Sequence, residues 1–231
     1  MKRILPVILL SLIIASCSTM PAEIEDKYLA EKTEPESKTI LTLEQKIIDK
    51  NKEKQAVESR MNDQQNSPSA IEDEIKLLKK ENGLLKDEIF FYEKNKDAVN
   101  LELKKGRLAE NESKLAKKTA LLEYQQSEKK LGETDLALKD AELAQYIAEL
   151  NFEKSKIAAA YRDKTEPPKP AEEQNFFSKL FNEKDPNDKY GYKIITEYLE
   201  KKKQETSKAQ AEYRDAERKF LDAKLKLDKT K

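Results

Sequence analysis

Residues 108 to 157 read LAENESKLAKKTALLEYQQSEKKLGETDLALKDAELAQYIAELNFEKSKI, and within them Leu108, Leu115, Leu122, Leu136, Leu143, Leu150 and Ile157 share one position of a seven-residue repeat. Only Lys129 interrupts the series. A side chain recurring every seven residues returns to nearly the same face of an α-helix after two turns, so the stretch specifies a helix with one apolar ridge. Ala109, Ala116, Ala137, Ala144 and Ala158 each follow a ridge member and line it with a small-residue groove that a neighbouring helix can approach closely.

Toward the N-terminus no proline occurs between Pro68 and Pro167, which predicts one helix from Ala70 to about Asp163, about 140 Å long. Its first part alternates four and three: Ile71, Ile75, Leu78, Asn82, Leu85, Ile89, Tyr92, Lys96, Val99, Leu103. Steps of seven from Val99 land on Gly106, two residues short of Leu108, so the seam is expected to slip there, with Gly106 and Gly132 as bends. Ser69-Ala70-Ile71-Glu72 is a capping box for this helix, and Thr42-Leu43-Glu44-Gln45 is one for an earlier helix from Ile40 to Met61, striped by Leu43, Ile47, Val57 and Met61. Toward the C-terminus, Pro167, Pro168, Pro170, Pro186 and Gly191 end the long helix, and a last helix, Lys193 to Asp228, carries Ile195, Leu199, Lys202, Thr206, Ala209, Tyr213, Ala216, Phe220, Ala223 and Leu227.

Helices this charged gain too little from propensity alone, so each stripe needs a partner. The expected fold is all-α: an elongated coiled-coil rod in which one long central helix has antiparallel helices folded back at each end. The first helix should return on Ile71 to Tyr92 and the last on Leu122 to Ile157. A monomer of this plan is preferred to a parallel homodimer registered by Asn82 at a core position. The expected segments are 1–16, a signal peptide; 17–38, a flexible tether; 39–163, the first helix and the long helix; 164–191, a proline-rich connection; and 192–231, the returning helix.

Composition narrows the function. Of 231 residues 39% are charged, none is His and one is Cys, which removes His-based catalysis and most metal sites, so neither a metal nor a cofactor is expected. Acidic pairs such as Glu72 and Glu74 read as solvated helix surface, and no enzyme is expected. The 45 basic residues balance 45 acidic ones, which argues against nucleic acid as a partner.

The N-terminus carries more information. Lys2 and Arg3 precede an apolar run from Ile4 to Ile14 broken only by Pro6 and Ser11, and then small residues lead to Cys17. The run is about half as long as a membrane-spanning helix requires, so it reads as a signal peptide. Leu12 followed by Ile14-Ala15-Ser16-Cys17 resembles the lipobox of bacterial lipoproteins. That resemblance implies cleavage between Ser16 and Cys17 and a covalent lipid, diacylglyceryl and N-acyl, on Cys17. Ser18 in place of Asp implies the outer membrane, with the periplasmic or surface face left open.

The expected function is a lipid-anchored cell-envelope protein acting as a helical tether or scaffold toward an unidentified protein partner; a surface adhesin or a periplasmic assembly accessory are the alternatives. Within the connection, Phe176, Phe177, Leu180 and Phe181 have the spacing of a short amphipathic helix, a candidate contact for a partner or a membrane, with packing against Ile157 and Tyr161 as the simpler reading. Lys231 ends the chain, and in plan the protein is similar to the murein lipoprotein, which implies attachment to peptidoglycan. The greater length and the lack of that family's compact repeat make a chance lysine the preferred reading.

Overall fold

A computed structural model describes Ile24, Leu29 and residues 32–63, 68–165 and 192–230. The chain is all-α: α1 spans Glu34–Asp63, α2 Pro68–Asn95, α3 Ala98–Thr165 and α4 Tyr192–Asp228. It divides into two compact units, one of residues 1–51 with 141–206 and the other of 52–140 with 207–231.

The first unit holds the start of α1, the end of α3 and the start of α4. α1 begins at Glu34, inside the stretch expected to be tether. Thr33 caps it: Glu36 Oε2 accepts from the Thr33 backbone N–H at 2.7 Å and from its hydroxyl at 2.6 Å. This is half of a capping box, placed nine residues ahead of the one read at Thr42. Thr42 lies within the helix, and its hydroxyl donates to the Lys38 carbonyl. Ile24 and Leu29 are buried against Ile40, Ile157 and Ala158, so the expected tether contributes core residues. Ile195, Leu199 and Leu43 are also buried, and Ala148, Ser155 and Ala158 are fully enclosed. The Ser155 hydroxyl satisfies itself on the Phe152 carbonyl at 2.8 Å.

The second unit corrects the expectation of one helix from Ala70 to Asp163. The helix ends at Asn95, and Lys96 adopts φ 57°. The Lys96 N–H donates to the Glu93 carbonyl at 3.2 Å and the Asp97 N–H to the Tyr92 carbonyl at 3.1 Å, the bond pair that closes a helix on a left-handed residue. Asp97 then opens α3: its carboxylate accepts from the Asn100 N–H at 3.1 Å and the Asn100 amide at 2.7 Å, while its carbonyl accepts the first helical bond from Leu101. The two registers of the long stripe therefore belong to two helices, and nothing slips at Gly106, which lies inside α3.

α2 returns antiparallel along α3. Lys104 pairs with Glu88, Asn111 with Glu81 and Lys118 with Glu74, each step of seven up α3 matched by seven down α2. Ile75, Asn82 and Leu85 are buried in the seam between them, as the four-three pattern requires. α1 pairs with α3 and not, as its length and short turn predict, with α2: Lys54 meets Asp140, Lys139 meets Glu53 and Arg60 meets Asp135. Gly132 serves that contact. A Cβ there would stand 3.0 Å from Met61 Cγ, so the glycine admits α1. α4 seats on a different face of α3, with the Phe220 and Tyr124 rings 5.4 Å apart and Lys226 bonded to Glu123.

The leucine repeat does not announce that face. Ala120, Ser127, Thr134, Ala141, Ala148 and Ser155 recur every seven residues about 140° around α3 from the leucine ridge. Ala120 and Thr134 are buried in the second unit, Ala148 and Ser155 in the first, while Ala109, Ala116 and Ala137 beside the ridge are less buried. Small side chains bring helices close enough for the Thr206 hydroxyl to donate to the Ala141 backbone carbonyl at 3.1 Å.

Because Lys96 has no glycine's freedom in its left-handed conformation, the Asp97 cap carries much of the turn. Hydrogen bonds from the Asn100 amide and then its backbone N–H hold the Asp97 carboxyl below the usual carboxylate range. A lowered native pKa stabilises above the unfolded value, and the contribution disappears as pH falls through the folded one. Asp97→Ala is expected to lower the thermal midpoint by roughly 3 °C at neutral pH. The gap from the parent should narrow as pH falls through the parent's lowered carboxyl pKa; circular dichroism melts across an acid series check it.

Candidate functional site

Cys17, the Ser16–Cys17 cleavage point and Phe176, Phe177, Leu180 and Phe181 all lie outside the described residues. Within them, the first unit forms an open groove of about 680 Å³ floored by Leu43, Phe152 and Leu199 and edged by Pro35, Thr39 and Lys46. Most of its charges are engaged. The Lys46 ammonium stands 5.5 Å from the centre of the Tyr146 ring, and Glu153 pairs with Lys156 at 2.8 Å. Lys203 is bonded to Glu200 at 2.9 Å, and chiefly that bond raises its pKa. Among the described residues no group of three His, Cys, Asp or Glu side chains could hold a metal ion.

The second unit offers a surface of a different kind. On α2, Leu77, Leu84 and Phe91 recur every seven residues just beside the seam residues Leu78, Leu85 and Tyr92, yet they are 57%, 59% and 59% exposed. Phe90 is 69% exposed, and Val99 and Leu103, just past the turn, are 81% and 58% exposed. The periodicity of Leu77, Leu84 and Phe91 is present in the sequence, one residue out of phase with the stronger stripe that masks it. The charges along this face also stand apart. Glu74, Glu81 and Glu88 have partners on α3, whereas Lys80, Asp87 and Lys94 have none among the described residues.

The arrangement is thus a set of helix faces, some occupied by the chain itself and others, that of α2 among them, left open and suited to contact with another surface. None of the described helices is long and apolar enough to cross a membrane. Comparison with protein-family models, curated proteins and solved structures finds no match to this chain.

Proposed function

We propose that the protein is an exported cell-envelope lipoprotein, held at the membrane by lipid on Cys17 and acting as a helical tether or scaffold for a protein partner. The observation that carries this reading is the lipobox-like Leu12 and Ile14-Ala15-Ser16-Cys17 at the end of a signal peptide, in a chain with a single cysteine and no histidine. The helices beyond that motif support it. Their apolar seams bury one another and ion pairs lace their flanks, a construction suited to presenting helix faces to a partner. On this reading the role is positional rather than catalytic, the covalent group is the lipid, and Ser18 directs the protein to the outer membrane.

Growth with labelled palmitate tests the proposal. The chain is expected to carry label that is stable to detergent extraction and to partition with the membrane fraction. An unlabelled chain recovered in the soluble fraction would sink it.

A further inference from the structure

The open face of α2 matches itself. At 3.6 residues per turn, Asp73, Lys76, Leu77, Lys80, Gly83, Leu84, Asp87, Phe90, Phe91 and Lys94 fall within about 140° of the helix circumference. This arc lies outside the α3 seam, and every one of its members is exposed; Phe90 keeps 69% of its surface. Placing a two-fold axis at the Gly83–Leu84 peptide bond, perpendicular to the helix, brings together residues equidistant from it. Leu84 of one copy then lies opposite Gly83 of the other, Lys80 opposite Asp87, Leu77 opposite Phe90, Lys76 opposite Phe91 and Lys94 opposite Asp73. Each pairing joins large to small, acid to base, apolar to apolar or cation to ring, and the axis makes each of them twice.

Two facts about the single chain support this arrangement. Lys80 and Asp87, which the axis pairs, have no ion-pair partner among the described residues, although the next acidic ladder on the same helix is satisfied. Gly83 sits in mid-helix, where glycine costs about 1 kcal/mol against alanine, and a Cβ there would meet nothing within 4 Å. Packing within the chain gives no reason for that glycine. A second helix approaching at Gly83 does.

We infer that α2 is a homodimerisation surface, two copies meeting antiparallel through Leu84, Gly83 and reciprocal Lys80–Asp87 pairs. The contact is isologous, so it closes at two copies and leaves no end to propagate. The connection lengths read from the sequence favour a monomer over a parallel dimer built on Asn82. In the structure Asn82 is buried in the intramolecular seam, and the free surface is the neighbouring face.

The test is the molar mass of the full-length chain in mild detergent by sedimentation equilibrium over a range of concentrations. A reversible dimer is expected. Because Leu84 and Phe90 are exposed in the single chain, Leu84→Glu with Phe90→Glu should yield a monomer whose helix content is unchanged. Lys80→Glu and Asp87→Lys should each raise the dimer Kd about tenfold or more, and the two together should restore it to within about threefold, since the exchanged charges meet again across the axis. A chain monomeric at every concentration overturns the inference and gives the face to another partner. A double reversal as weak as the singles overturns it equally, because then Lys80 and Asp87 do not meet.

Discussion

Ile195→Ala is expected to destabilise the first unit by about 2–5 kcal/mol, whereas Ile194→Ala, one residue away, should cost less than about 1 kcal/mol. The chemistry removed is the same. The difference is burial: Ile195 is 2% exposed and Ile194 43%. Truncating the buried side chain forfeits its transfer free energy and leaves a cavity among helices already held close by Ala148 and Ser155, where little can collapse to fill it. Since a domain's net stability is about 5–15 kcal/mol, a loss of this size is a substantial fraction of it. Circular dichroism melts of both variants decide the matter, and equal midpoints for the two would refute the assigned packing of α4.

That stripe is legible in the sequence because Ile195, Leu199, Tyr213 and Phe220 are large and regularly spaced, and for the same reason the α2 seam through Ile75 and Leu85 is legible too. Two features are hidden, each for a physical reason. The chain reversal at Lys96 uses neither glycine nor proline; its marks are Asn95, a left-handed lysine and Asp97 reaching to Asn100, polar residues that also suit an exposed helix face. The phase mismatch near Gly106 is the visible trace of that reversal. It suggests a bend instead, because a missing break and a slipped seam produce the same discontinuity in a linear pattern.

The second hidden feature is the α4 face of α3. Ala120, Ser127, Thr134, Ala141, Ala148 and Ser155 carry almost no hydrophobic signal, so a reading weighted by apolarity follows the leucines and places the close approach beside them. Burial here reflects how near a helix can come rather than how apolar the residue is, and the buried hydroxyls of Thr134 and Ser155 are tolerated because carbonyls of their own helix accept from them. Start signals mislead in the same way. Pro35 looks like a breaker, though it sits in the first turn of α1, where a missing N–H costs nothing. At the candidate site, the stronger Leu78–Leu85 stripe conceals Leu77 and Leu84, whose exposure depends on which helix α2 pairs with.

The largest effect expected of any single substitution is that of Cys17→Ser on location. Each CH₂ of an acyl chain buried in the bilayer contributes about 0.8 kcal/mol, so two or three chains make attachment effectively permanent, and removing them leaves the described helices with no span to substitute. The variant is best secreted behind a signal peptide cleaved by the ordinary peptidase, so that an unprocessed leader does not hold it. Under the proposed function it should pass almost wholly from the membrane to the soluble fraction while keeping its helix content, because no described helix contains position 17. Under the same proposal the tie it breaks is short: Ile24 is buried in the first unit, and the roughly seven residues from Cys17 to it reach at most about 25 Å, so a lipid on Cys17 would keep that unit close to the bilayer surface. Lengthening this stretch with a flexible insert in the lipidated protein should leave membrane attachment intact while moving the first unit outward, which crosslinking from Lys38 to lipid headgroups would register. If Cys17→Ser stays with membranes washed at high pH, the lipid is not what holds the protein there.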